Sequence, residues 1–386
     1  MAHIAWLGKK SPFCGNVSYG LTTTKALKKR GYQTSFIHFD NPTDSDFSKT
    51  SLLANDPDVS LPYLIKSQVY TIPSPRAQRE LRESLERLKP NIVHASLTLS
   101  PLDFRLPDLC NQMDLPLLAT FHPPFDSKIR SLSASTQQLT YQLYAPSLSR
   151  YNKVIVFSDS QAEVLTKLGV KENRLEIIPN GIDADLWQPN AEQSTNHEQI
   201  EVQKRLGGKR TFLYMGRIAA EKNVEALLKA WKAVNMKGCQ LVIVGDGPLR
   251  PTLENNFLST SDCKINWWGY ESDLKTKVAL LQCTEVFILP SLVEGLSLAL
   301  LEAMATGTAC IATDAGADGE VLKEGAGITI STESVTSQLK TLLPVMRDNP
   351  FFTSELGLRA RQRVLNQYTL KKNIDSLENL YNKLLH

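Results

Sequence analysis

The chain has 386 residues, more than one hydrophobic core usually serves, so two domains are expected. Its 43 basic and 40 acidic side chains leave a formal charge of +3, too small to argue for nucleic acid as a partner. Six scattered cysteines without a C-x-x-C pair favour reduced core thiols over a disulfide or zinc framework, and no apolar run reaches the length needed to span a bilayer.

No charged-then-apolar leader precedes the first apolar run, His3 to Leu7, so the expected location is cytoplasmic, with any membrane contact peripheral. A loop from Gly8 to Gly15 follows, in which Gly15 lets backbone approach a ligand and Asn16 is a possible helix N-cap. The next helix runs from about Val17 to Arg30 and is closed by Gly31. Apolar runs at Thr34–Phe39, Ile92–Ala95, Leu117–Phe121, Val154–Phe157 and Leu175–Ile178 alternate with helical patterns such as Leu81, Leu85 and Leu88. That alternation predicts a parallel, doubly wound sheet.

His122 comes directly after one of these strands, at the edge where open α/β sheets place ligands. A hydrogen-bonding loop histidine is the competing reading, while His3, His38 and His94 read as structural. Asp44-Ser45-Asp46 has the form of a metal-binding pair but lies among Asn, Pro, Thr and Ser, so it reads as a solvated loop and no metal is expected there.

Asn180-Gly181 is a strong turn signal, and the polar stretch from Gln188 to Gln203 reads as a connection between domains. The expected domains are therefore 1–187 and 188–368, with 369–386 as a C-terminal helix packing back on the first domain.

A second strand–helix series begins at Thr211. Arg217 and Lys222 bracket a loop that starts at Gly216 and leads into a helix. Amide donors, a helix N-terminus and two cations suit a diphosphate, although Lys222 paired with Glu221 or Glu225 at the surface would look the same. Val244-Gly245-Asp246-Gly247-Pro248 ends another strand but fails as a dinucleotide fingerprint, because Arg250 stands where its third glycine should be. Gly269-Tyr270 ends the next strand, where backbone could meet a base.

The apolar run Val286–Leu289 then leads through Pro290 to Gly307, P-S-L-V-E-G-L-S-L-A-L-L-E-A-M-A-T-G. Glu294 lies in the loop and Glu302 eight residues on, just over two helical turns, so two acids can serve one side of a site. A strand, the small-residue loop at Gly295 and a helix N-terminus together make a site for a phosphorylated ligand.

Together the segments I-P-N-G-I-D at 178–183, G-R-I-x-x-E-K at 216–222, V-G-D-G-P at 244–248, P-S-x-x-E-G-L-S at 290–297 and E-A-M-A-T-G at 302–307 resemble glycosyltransferase family 4, retaining enzymes of the GT-B fold. The resemblance implies two Rossmann-like α/β domains facing a cleft whose closure limits donor hydrolysis. It implies that Arg217 and Lys222 hold the donor diphosphate, that Glu302 accepts from ribose hydroxyls, that Glu294 and His122 contact the donor sugar, that the backbone amides of Leu296, Ser297 and Leu298 lie near the phosphates, and that Gly15 lies under the diphosphate. The usual glycine pair is Cys14-Gly15 here. The reaction implied needs neither a metal nor a protein nucleophile, the cations stabilising the leaving phosphate during front-face attack. The opening W-L-G-K-K-S-P-F-C-G-N-V-S-Y-G and the turn H-P-P-F-D resemble a cyanobacterial galactolipid-forming subgroup. That implies UDP-galactose as donor, monogalactosyldiacylglycerol as acceptor, and a thylakoid or plasma membrane surface as partner. Pro12, Phe13, Pro123, Pro124 and Phe125, with the basic helix end Lys25, Lys28, Lys29 and Arg30, are the expected membrane-facing residues; the competing reading is that the basic side chains serve the helix dipole and that Phe13 or Phe125 packs inward. A soluble sugar acceptor, a nucleotide-sugar epimerase of the same fold and a non-catalytic sugar-nucleotide binder are the alternatives.

Overall fold

A computed structural model describes residues 2–11, 15–40, 58–67, 70–125, 132–190, 197–234, 236–260 and 263–385, with the backbone alone for 132–136. Pro12, Phe13, Cys14 and the Asp44–Asp46 segment lie outside these residues. The chain forms two compact units, one comprising Met1–Pro123, Ser135–Pro179 and Asn373–His386, the other Pro124–Ala134 and Asn180–Lys372.

The first unit is built on seven parallel strands. From edge to edge they are Val59–Leu61, Gln33–Phe39, His3–Leu7, Ile92–Ser96, Leu117–Thr120, Lys153–Val156 and Leu175–Ile177. The chain starts in the middle at His3–Leu7, winds outward to Val59–Leu61, then returns to the other side of its first strand at Ile92–Ser96. The order therefore reverses between His3–Leu7 and Ile92–Ser96. All five residues of each of these two strands are buried, as expected of strands covered on both faces. The last helix, Leu370–Leu385, buries Ile374, Leu377, Leu380 and Tyr381 on one stripe. Its Tyr381 hydroxyl bonds His94 Nδ1 at 2.7 Å inside the core of the first unit.

The second unit repeats the plan with six strands, ordered Ile265–Gly269, Cys239–Val244, Arg210–Met215, Val286–Leu289, Ala309–Thr313 and Ile328–Ile330. Here too the chain starts in the middle, and the order reverses between Arg210–Met215 and Val286–Leu289. This is the GT-B fold, two Rossmann-like units with parallel sheets.

Local differences from the sequence reading have physical causes. The helix after the first strand begins at Gly15, so Asn16 lies in its first turn rather than capping it. The chain leaves the first unit at Pro179, ahead of the polar stretch at Gln188. Ile182 N donates to Tyr368 O and Leu370 N to Ile182 O, each at 2.8 Å, which stitches this strand end into the second unit. Part of the polar stretch is the helix His197–Leu206, whose Val202 and Leu206 are buried.

Candidate functional site

In open α/β sheets, ligands bind beyond the carboxyl ends of strands where the order reverses. In the second unit those ends are the loops 216–223 and 290–297. A single 3₁₀ turn, Ala220–Lys222, is closed by Asn223 in the left-handed conformation (φ 51°), which starts the helix Val224–Ala233 and fixes where Lys222 points. Leu292 N donates to Glu221 O at 2.8 Å and ties the two loops together. Lys222 Nζ lies 2.5 Å from Glu294 Oε1, with the Glu294 side chain only 9% exposed. The two residues were expected to act on different parts of a ligand; the fold makes them one pair. Burial opposes the charge on Lys222, but the acidic groups around it, Glu294 first and then Asp318 and Glu221, more than offset it and hold the ammonium above its ordinary range. Arg217, rather than Lys222, takes the surface partner Glu221, at 3.2 Å and in a solvent-exposed setting.

The predicted glycines assemble beside this pair. Gly216 N donates to Val244 O at 2.9 Å and Gly245 N to Gly269 O at 2.8 Å, so three strand ends lie abreast. Gly245 has φ 133°, and a Cβ there would sit 1.9 Å from Gly216 O, so only glycine fits. Tyr270, the next residue after Gly269, is exposed.

Ser297 caps the helix Leu298–Ala305, its side chain accepting from Leu300 N at 3.3 Å. Leu300, Leu301, Ala303, Met304 and Ala305 are buried, and Glu302 is half-buried. Its carboxyl accepts no hydrogen bond from a described residue, and burial, partly offset by Lys277, lifts it to about 7. One expectation is corrected: the Ser297 amide is not available to a phosphate, because it donates to Asp318 Oδ1 at 2.9 Å. Leu296 is buried, with its carbonyl 3.4 Å from Asn180 Nδ2. The Glu294 carbonyl, next to Gly295, accepts from Phe125 N at 3.2 Å.

In the first unit, His122 follows the strand Leu117–Thr120 and its Nε2 lies 2.8 Å from Ser96 Oγ. Tyr19 and Phe157 pack on the ring at 5.0 and 5.2 Å. Burial and the nearby Lys9 charge lower its pKa to about 3, so the ring is neutral at physiological pH. Gly15 is exposed, and no described residue lies within 4 Å of an added Cβ. His94 is structural as expected, fully buried between Tyr381 and Thr120. Phe125 is 2% exposed and Pro123 is buried, so neither is a membrane-facing tip. Arg30 is held by Asp375 at 2.7 Å and Glu378 at 2.5 Å, so it is not a free surface charge. No described helix is long and apolar enough to cross a membrane.

Comparison with known proteins follows this division of the chain. Residues 15–186 match the family model described as Glycosyltransferase Family 4, and residues 209–348 the one described as Glycosyl transferases group 1. The chain is 28% identical over 240 residues to the UDP-Gal:alpha-D-GlcNAc-diphosphoundecaprenol alpha-1,3-galactosyltransferase of Escherichia coli, covering 59% of each. It is 27% identical over 195 residues to the alpha-D-kanosaminyltransferase of Streptomyces kanamyceticus, covering 49% of this chain and 50% of that one. The matches thus span little more than half the length of these curated relatives. The crystal structure of Anabaena Alr3699/HepE in complex with UDP-glucose superposes with a TM-score of 0.77 at 14% identity, over 99% of this chain and 100% of that one, and shares its fold.

Proposed function

We propose that this chain, a member of the group 1/family 4 superfamily of GT-B glycosyltransferases, moves a hexose from a nucleotide sugar to an acceptor hydroxyl. The observation that carries the reading is the Lys222–Glu294 pair at 2.5 Å, where the second sheet reverses its strand order. A cation fixed beside a helix start is suited to a diphosphate leaving group, on which negative charge grows as the glycosidic bond breaks. Arg217 supplies a second cation, since its surface pair with Glu221 contributes little and exchanges readily for a phosphate. These cations take the place of a metal, and the unpaired Glu302 accepts from ribose hydroxyls. Glu294, oriented by Lys222, meets the sugar. Neutral His122 offers a hydrogen-bonding partner to a hydroxyl rather than a charge. Transfer proceeds with retention by front-face attack, the leaving phosphate taking the acceptor proton.

The finer reading is a digalactosyldiacylglycerol synthase, taking galactose from UDP-galactose to monogalactosyldiacylglycerol at the cytoplasmic face of a membrane. The galactolipid-type opening of the sequence supports it, as does a relative named for UDP-Gal and a diphosphoundecaprenol acceptor. Surface chemistry gives further support. The helix Leu132–Leu148 carries no charged residue, and its Leu139 and Leu143 are exposed one turn apart. Leu64 and Ile65 are exposed on the hairpin Tyr63–Lys66/Thr71–Pro73, with Lys66 beside them. Apolar side chains near basic ones suit an anionic lipid interface. The test is incubation with labelled UDP-galactose and monogalactosyldiacylglycerol in anionic vesicles. Digalactosyl lipid is the expected product. Transfer only to soluble sugars would remove the lipid acceptor, and no transfer from any nucleotide sugar would remove the activity.

A further inference from the structure

We infer that Asp318 is a positioning residue for the nucleotide-sugar site: a buried, uncharged carboxyl that anchors the Glu294–Ser297 loop and keeps the Lys222–Glu294 pair from turning net negative. The inference rests on the nucleotide-sugar reading and deepens it.

Three consecutive residues press the 316–318 turn onto that loop. Gly316 has φ 56°, and a Cβ there would lie 2.2 Å from Glu294 O and 2.5 Å from Gly295 O. Ala317 N donates to Gly295 O at 2.7 Å. Asp318 Oδ1 accepts from Ser297 N at 2.9 Å. The Asp318 side chain is fully buried, and its Oδ2 has no hydrogen-bond partner among the described residues.

The charges around it explain how such a carboxyl is tolerated. Glu294 and Lys222 face it from the loops 290–297 and 216–223. Lys222 is already 2.5 Å from Glu294. Asp314, on Asp318's own turn, accepts from Thr332 N at 3.1 Å. Arg363, from the helix Pro350–Gln367, is spent on the carbonyls of Glu320 and Val321 and on Glu324. One ammonium therefore serves two carboxyls, and burying a second anion beside Glu294 without a counter-charge is costly. Protonation of Asp318 removes that cost, and its burial, then Glu294, push the carboxyl well above the usual range. The group then holds the loop by accepting the Ser297 amide while adding no negative charge where a diphosphate must bind. Ionised, it would repel that ligand.

Calorimetric titration of UDP into the full chain from about pH 6 to about pH 9 tests this. Wild-type affinity is expected to fall toward the alkaline end. Asp318→Asn keeps an oxygen for the Ser297 amide but cannot ionise. It should match wild type near neutrality and lack the alkaline fall. Asp318→Leu, with no acceptor, should weaken UDP binding roughly 10-fold at every pH, the equivalent of about 1.4 kcal/mol. An alkaline fall unchanged in Asp318→Asn, or full UDP affinity in Asp318→Leu, would overturn the assignment. The unfolding midpoint against pH is read in parallel. A carboxyl raised in the fold loses stability as pH rises from its unfolded value, near 4, toward its folded one. Asp318→Asn should flatten that slope, and an unflattened slope also overturns the assignment. If wild type binds no UDP at all, the nucleotide reading fails, and the unfolding slope still decides the state of Asp318.

Discussion

At the reversal point of the second sheet, an ammonium and a carboxylate meet at 2.5 Å over a second, buried carboxyl. At the matching place in the first sheet, a neutral imidazole meets a serine hydroxyl at 2.8 Å, with two aromatic rings around it. The sheets share a winding plan, so topology does not account for the difference. Charged recognition needs fixed counter-charges held by partners, or the desolvated ion would be expelled. Hydroxyl recognition needs neutral donors and acceptors, and Lys9 with burial keeps His122 in that state. One winding plan thus offers two chemistries, set by what the loops carry.

The steepest way to break this contrast is through its glycines. Gly245→Ala forces a Cβ to 1.9 Å from Gly216 O and should destabilise the second unit by more than about 4 kcal/mol, read by denaturant unfolding. Gly15→Ala, whose added Cβ meets no described residue within 4 Å, should change stability by no more than about 1 kcal/mol. A loss of transfer in that variant without loss of stability would assign Gly15 to ligand binding.

Removing one partner from each pair comes next. Lys222→Ala should lower turnover roughly 10- to 150-fold with the fold retained, because it deletes a charge-assisted contact of about 1.5–3 kcal/mol. Ser96→Ala deletes a neutral hydrogen bond to His122 and should cost about 2- to 13-fold, for about 0.5–1.5 kcal/mol. Equal losses in the two variants would erase the distinction between charged and neutral recognition.

Glu302→Gln probes the charge of the ribose-facing acid. With its carboxyl lifted to about 7, Glu302 is ionised above neutrality and protonated below. The UDP affinity of the variant should therefore fall below wild type by about 10-fold at high pH, for the loss of about 1.4 kcal/mol of charge-assisted contact, and approach it in mild acid. This step improves binding as pH rises, opposite in sense to the one assigned to Asp318, so the two separate in one titration. The smallest effect on transfer belongs to a structural contact. Tyr381→Phe removes the hydroxyl that meets His94 Nδ1 at 2.7 Å and should cost the first unit about 1–3 kcal/mol, with transfer unchanged once folded.

Much of this architecture is legible in residue order, because buried parallel strands are continuous apolar runs. Val286–Leu289 and Cys239–Val244 stand out that way, and both are wholly buried. The three-residue strands Val59–Leu61 and Ile328–Ile330 do not, since so short a run carries no period. In the candidate site, each of Lys222, Glu294 and Glu302 announces itself by residue type and loop position. Their partnership does not: Lys222 and Glu294 are 72 residues apart and meet only because two strands are neighbours. Asp318 was invisible for a related reason. An aspartate at a turn reads as solvated, and only burial beneath another loop gives it a different meaning.

Neither unit is one unbroken length of chain, and this bears on synthesis at the ribosome. Domains generally fold as units, the N-terminal one first as it emerges. Here the first unit still lacks Asn373–His386, including buried Ile374, Leu377, Leu380 and Tyr381, until the chain beyond the second unit has been made. The second unit is already complete by Lys372. The nascent chain therefore carries an open seam beside Trp6 and His94 until the helix Leu370–Leu385 packs there.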